Sequence, residues 1–148
     1  SQGGSRDRSG LRAMSEIHLA KSASIQRSVA RARQECAAAG ERFSEDLTRQ
    51  DAAVLNVLRA CETAIDLANA LVRERQLGIP QSNRDSFRLL ADAAVISRDL
   101  AERLQKVVGF RNVAVHRYRD LDVAVLVSVI RNDLEDLLRF AEGVARHA

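Results

Sequence analysis

The stretch LTRQDAAVLNVLRACETAIDLANALVRERQLG, residues 47–78, decides the fold class. Its apolar residues recur every three or four positions, which is the spacing of one helix face. They are Leu47, Val54, Leu55, Leu58, Cys61, Ile65, Ala68, Leu71 and Val72. Ser44 is a candidate N-cap before this stripe, and Gly78 lies where the helix should stop. The pattern predicts one long amphipathic helix from just after Ser44 to about Leu77.

Helical patterns also precede and follow this stretch. A weakly amphipathic helix is predicted over residues 15–39, and Gly40 is a plausible residue to end it. Residues 78–80 form a Gly-Ile-Pro loop, after which Ser82 fits the N-cap of a short helix. The first half of the chain is therefore predicted to form two long helices joined to a short one.

Two further helices are predicted in the second half. One begins near Ser97 or Arg98 and runs into residues 109–120, where the helical spacing becomes doubtful. The other begins after Asp122 and continues to Val144. Its first residues, VAVLVSVI, would also suit a strand. A helix is favoured because the helical period continues unbroken and the sequence contains no partner strand.

The composition agrees with an all-α fold. Of 148 residues, 23 are alanine and 17 are leucine, which both favour helix, whereas there is one proline and no tryptophan. A β-sandwich or barrel needs many turn-forming and aromatic residues, so an all-β fold is excluded. We therefore predict an antiparallel bundle of four long helices and one short helix.

Residues 14–148 are predicted to form one domain. Residues 1–13, SQGGSRDRSGLRA, precede the only methionine and are predicted to be a flexible N-terminal tail or a remnant of cloning. The longest apolar run has eight residues, far short of the roughly 20 that a membrane span needs. Because no signal peptide is recognisable either, we expect a cytoplasmic protein. Cys36 and Cys61 are expected to be reduced and packed.

The net charge of +3 is unevenly distributed. Residues 1–42 carry eight basic and four acidic side chains, whereas residues 43–148 carry 15 basic and 16 acidic ones. In the second part, five basic residues occur within 17 positions that hold no Asp or Glu: Arg103, Lys106, Arg111, Arg117 and Arg119. Such a run is either a solvated helix face or a site for a polyanion, which makes its members candidates for RNA binding.

Residues suited to catalysis cluster around His116. Arg111 lies five positions before it, Asn112 four before it, and Tyr118, the only tyrosine, two after it. Cleaving RNA without a metal needs a base for the 2′-hydroxyl proton, an acid for the leaving oxygen and a cation for the phosphorane. Histidine suits the proton transfers and arginine the charge. One chain supplies one histidine in this cluster, which is too few for a separate acid and base, whereas a symmetric dimer would bring two to one cleft.

Helix geometry sets a condition on such a site. On a regular helix, Arg111 and His116 would lie about 140° apart. They can serve one site only if the helix breaks between them or if a second copy of the chain completes the site. A histidine that caps a helix end, beside exposed Arg and Tyr side chains, is the structural alternative.

The segment VGFRNVAVHRY, residues 108–118, resembles the signature of the HEPN superfamily, and specifically of its HepT-like toxins. That signature is Arg, a polar residue, a few variable residues, His, any residue and Tyr. Residues 64–69, 77–80 and 87–109 also resemble these proteins, so the similarity spans roughly residues 15–145.

The resemblance implies an all-α homodimer that carries the motif at its dimer cleft and acts as a metal-independent endoribonuclease toxin. It assigns catalysis to Arg111 and His116, with Asn112 in support. It also implies that a cognate MNT-type minimal nucleotidyltransferase antitoxin AMPylates Tyr118, which would place negative charge and bulk in an RNA-binding cleft. Whether the RNA is tRNA or mRNA stays open, and so does whether the chain forms a larger hetero-oligomer with the antitoxin. Neither DNA nor a membrane is an expected partner.

Two other functions stay open on the sequence alone. The same dimer would serve as a non-catalytic module that binds nucleotide or presents substrate to a partner transferase, or as a scaffold in which the motif only builds the dimer. No cofactor is expected, and the lack of a Gly-rich phosphate loop argues against NTP hydrolysis. The acidic residues Asp133, Glu135 and Asp136 lack a nearby His or Cys, so no metal site is predicted.

Overall fold

The computed structural model describes residues 3–117 and 120–147, with side chains from Met14 onward, and these residues form a helical bundle without strands. Its elements, in chain order, are α1 (Gly3–Ala39), a 3₁₀ helix (Gly40–Glu45), α2 (Leu47–Glu74), α3 (Asn83–Asp92), α4 (Arg98–His116), α5 (Val123–Ser128), a π-helical segment (Val129–Asp133) and α6 (Leu134–Arg146). The last three follow one another without a break. The described residues thus confirm four long helices and one short helix, α3.

The central helix of the bundle is α2, the element predicted from residues 47–78. It packs against α1, α3, α4 and α6. Small side chains at Ala60, Cys61, Ala64 and Ala68 are fully buried, which allows the neighbouring helices to approach closely. The helix ends at Glu74, three residues before the predicted end at Leu77.

Two helix starts near the beginning of the chain differ from the prediction. Ser44 is wrong as the N-cap of α2, because it lies within the 3₁₀ helix and the Asp46 carboxylate accepts the Arg49 backbone N–H at 3.0 Å instead. The backbone of α1 is helical from Gly3, where a tail was predicted over residues 1–13. The single domain over residues 14–148 stays a prediction.

The predicted cap Ser82 is confirmed, and so are the helix starts that were predicted near Ser97 and after Asp122. Ser82 accepts the backbone N–H of Asp85, Ser97 accepts that of Leu100, and Asp122 accepts that of Ala124. Each side chain satisfies an N–H group that the first helical turn leaves without a backbone partner. The starts of α3, α4 and α5 are therefore fixed by local sequence.

Charged and aromatic contacts tie distant parts of the chain together. Glu35 on α1 accepts hydrogen bonds from Arg49 at 2.7 Å and Arg31 at 3.2 Å, and these contacts hold the pKa of its carboxyl below the usual range. The Phe87 and Phe140 rings meet edge to face with their centroids 5.6 Å apart, joining α3 to α6.

The two cysteines match the sequence prediction. Cys36 and Cys61 are free thiols, and both are buried in the core. In the part of the chain that the structure describes, no helix combines the length and the apolar character that crossing a membrane requires.

Candidate active site

Helix α4 carries the candidate site, and the core fixes its rotation. Leu104, Val107, Val108 and Ala114 are buried, and they place one face of α4 against the rest of the bundle. The helix ends where the backbone N–H of Arg117 donates to the Val113 carbonyl oxygen at 2.8 Å. Residues 98–116 therefore cannot turn about the helix axis without exposing the core.

No break separates Arg111 from His116. Helix α4 continues through residues 109–116, where the sequence left the helical spacing in doubt. The two side chains consequently leave the helix about 140° apart. Of the two conditions for a shared site, only completion by a second copy of the chain is left.

Arg111 points toward α2 and is held there by Glu62. The Nε of Arg111 donates to Oε1 of Glu62 at 2.5 Å, and its Nη2 contacts the same oxygen. A third nitrogen, Nη1, donates to Oδ1 of Asn112 at 2.9 Å. The Arg111 side chain is 22% exposed, so the guanidinium is oriented at the surface and still accessible.

His116 lies at the exposed C-terminal end of α4. Val113 and Val115 on the same helix are 51% and 46% exposed, but they lie about 160° apart around the helix axis. Val113 lines a groove together with Val125 of α5, whereas Val115 lies within about 40° of Arg111. The end of α4 that carries His116 thus exposes apolar area on the Arg111 side.

The structure separates the basic candidates. Arg103 donates to Asp99 at 3.1 Å on the exposed face of α4. Lys106 and Arg117 line one open groove along α4, together with residues of α3 and the start of α5. Tyr118 and Arg119 lie outside the described residues. Of the basic residues of this run other than Arg111, two therefore share a groove: Lys106 and Arg117.

Glu62 is the site residue that the sequence did not predict. It lies 49 positions before Arg111, and only the packing of α2 against α4 brings the two together. The one available signal was its place next to Cys61, at the edge of the buried stripe of α2.

Cys61 lies beneath this ion pair and is not a candidate nucleophile. Burial raises the pKa of its thiol to about 12, the Glu62 charge adds to the increase, and the Arg111 charge opposes it. A thiol with this pKa is protonated at neutral pH. Among the described residues, no group of three or more His, Cys, Asp or Glu side chains is arranged to hold a metal ion.

Comparisons with known proteins identify the family of the chain. The sequence model of the family "Ribonuclease HepT-like" matches residues 25–144. The mRNA nuclease HepT of Shewanella oneidensis is 44% identical over 131 residues, which cover 88% of this chain and 98% of that protein.

Solved structures share the fold. A tri-AMPylated Shewanella oneidensis HEPN toxin in complex with an MNT antitoxin matches with a TM-score of 0.82 and 42% identity, covering 88% of this chain and 97% of the toxin. The cytosolic protein YutE of Bacillus subtilis, whose function is unknown, matches with a TM-score of 0.67 and 17% identity, covering 84% of this chain and 88% of that one. The second match concerns the fold alone. The family match and the relative that is 44% identical show that the chain belongs to the HepT-like ribonuclease family of HEPN proteins.

Proposed function

We propose that this chain is an endoribonuclease toxin that cleaves RNA without a metal and that an MNT-type nucleotidyltransferase antitoxin neutralises it. The observation that carries the proposal is the match over nearly the whole length of a relative named mRNA nuclease. Messenger RNA is accordingly the substrate class that we favour. The proposed location is the cytoplasm.

The proposed site forms between two copies of the chain. Because α4 is continuous, Arg111 and His116 of one copy diverge, whereas a twofold axis beside the end of α4 would bring both pairs to one cleft. The exposed Val115, on the Arg111 side of α4, would supply apolar area for that contact. The dimer thus provides two histidines, one as base and one as acid.

Each residue has a distinct role in the proposed reaction. One His116 accepts the proton of the 2′-hydroxyl, which attacks the phosphorus, and the partner copy's histidine protonates the leaving 5′-oxygen. Arg111 stabilises the charge on the phosphorane through its planar guanidinium. Asn112 and Glu62 orient Arg111: Asn112 accepts a hydrogen bond from its Nη1, and Glu62 accepts one from its Nε.

Replacing His116 tests the proposed chemistry. With total cellular RNA in EDTA, wild type should cleave, and His116→Ala should lose at least about 100-fold in rate because it has no imidazole to move protons. His147→Ala is the matched control, since His147 is also exposed but lies at the end of the chain. All three proteins are first confirmed to be folded and unmodified.

The outcomes of this experiment separate the candidate functions. Equal cleavage by wild type and His116→Ala would remove His116 from the mechanism. If none of the three proteins cleaves RNA and all of them still bind it, the non-catalytic binding module is favoured.

Replacing Glu62 tests how Arg111 is oriented. Glu62→Gln should lower kcat by roughly 10-fold, because misplacing a catalytic group by about 1 Å can cost up to about 100-fold in rate. It should not raise KM, since the change removes a negative charge near the substrate phosphate. The control is Glu135→Gln, because Glu135 is 52% exposed and pairs with Arg33 at 3.1 Å, far from Arg111. An unchanged kcat for Glu62→Gln would contradict the positioning role.

Tyr118 is the proposed site of AMPylation. It is the only tyrosine of the chain, and the toxin in the matched solved structure is tri-AMPylated. When the chain is incubated with its nucleotidyltransferase, Mg²⁺ and ATP, intact-mass spectrometry should detect added AMP groups, and RNA cleavage should stop. Tyr118→Phe should stay unmodified and active. AMPylation of Tyr118→Phe would place the modification at another residue.

A further inference from the structure

The side chain of Arg84, on α3, lies across α4 at Gly109, two residues before Arg111. Arg84 lies over Gly109, where a Cβ would collide with its Nη2 and come within 3.4 Å of its Cζ. The start of α3 is tied to the same helix, because Nε2 of Gln105 donates to the Arg84 carbonyl oxygen at 3.1 Å. A glycine at position 109 thus allows the Arg84 guanidinium to lie directly against α4.

This crossing lies on the same stripe of α4 as His116. Gly109 and His116 are seven residues apart, which brings them to within about 20° of one another around the helix axis. Along the axis they are separated by roughly 10 Å. The Arg84 guanidinium therefore lies on the side of α4 that carries His116, whereas Arg111 faces α2.

Arg84 also differs from its neighbour on α3 in its pairing. Arg88, one turn further along, donates to Asp85 at 2.6 Å and to Asp92 at 2.9 Å. Among the described residues, no carboxylate forms an ion pair with Arg84, and its side chain is exposed. The guanidinium over Gly109 is thus free to take an anion.

The groove around Arg84 is lined by both basic and acidic side chains. Lys106 and Arg117 line it together with Arg84, and so do Phe110 and Val113. Three acidic residues also line it: Glu102, Asp120 and Asp122. The carboxylate of Asp122 accepts the Ala124 backbone N–H at 2.9 Å as a helix cap. Arg84 and Lys106 therefore provide a basic strip on the α3–α4 side, beside the partly buried ring of Phe110.

We propose that Arg84 is an RNA-binding residue, which contacts a backbone phosphate next to the one that is cleaved beside His116. Arginine matches the oxygens of a phosphodiester, and an aromatic ring beside it can stack a base of a single strand. Gly109 serves this contact by leaving room for the guanidinium. The inference rests on the proposed ribonuclease function and adds a binding residue to it.

The direct test measures RNA binding in the His116→Ala background, in which the RNA is not cleaved. Arg84→Ala should raise the Kd for a single-stranded RNA about 5-fold at low salt, and should reduce the slope of log Kd against log salt by about 0.7, the loss of one phosphate contact. Arg88→Ala is the matched control and should change neither quantity, because Arg88 is engaged by two aspartates. Equal values for Arg84→Ala and Arg88→Ala would overturn the inference.

A double-mutant cycle with Gly109 tests the geometry. Gly109→Ala alone should weaken RNA binding by displacing the Arg84 guanidinium, although alanine is the better helix former and the fold should persist. In the Arg84→Ala background, Gly109→Ala should have no further effect. Additive effects would show that the glycine acts through something other than Arg84.

Failure of the inference is distinguishable from failure of the proposed function. If wild type cleaves RNA and Arg84→Ala cleaves and binds it equally well, only the role of Arg84 is wrong. If Arg84→Ala changes binding of the antitoxin and leaves RNA binding unchanged, the groove is a protein-binding surface and the inference is overturned. If wild type neither binds nor cleaves RNA, both proposals fail.

Discussion

The rotation of α4 about its own axis is the constraint on which the proposed site depends. Leu104, Val107, Val108 and Ala114 are buried, so turning the helix would move apolar side chains into water, at a cost of roughly 1.5–3 kcal/mol for each large one. With that face fixed, Arg111 must point at α2. His116, about 140° away, must point elsewhere.

This constraint is the reason that we propose a site completed by a second copy of the chain. The guanidinium of Arg111 is already oriented by Glu62 and Asn112, whereas His116 is exposed at the end of α4. A group that is oriented before substrate binds loses little entropy on doing so, which favours catalysis. The contact that buries Val115 in a dimer would also bring the second histidine into reach, so assembly and activity would be coupled.

The helical pattern of the sequence predicted most of the fold, because each helix has local start signals and a regular apolar face. Ser82 caps α3 as predicted, and α4 and α5 begin where predicted, with Ser97 and Asp122 as their caps. Ser44 did not, because Asp46 is an equally good capping residue and the intervening turn became a 3₁₀ helix. The π-helical segment at Val129–Asp133 also escaped prediction, since one extra residue in a turn hardly changes the apolar pattern.

The candidate site was predictable only where its residues are close in sequence. Arg111, Asn112 and His116 lie within one helix and were predicted from the resemblance of that segment to the HepT-like signature. Glu62 and Arg84 reach the same helix from α2 and α3, so their roles depend on tertiary packing. Arg84 lies in no recognisable motif, and the one signal for Glu62 was its place next to Cys61 at the edge of the buried stripe of α2.

The claim that one cleft needs a histidine from each of two copies is central to this account. It is tested by mixing wild type and His116→Ala in equal amounts, exchanging their subunits by unfolding and refolding, and measuring RNA cleavage in EDTA. If both histidines are required, only wild-type dimers are active, and about one quarter of the activity of the same total amount of wild type should be left. A value of about one half would mean that each chain carries its own complete site, and it would contradict the account.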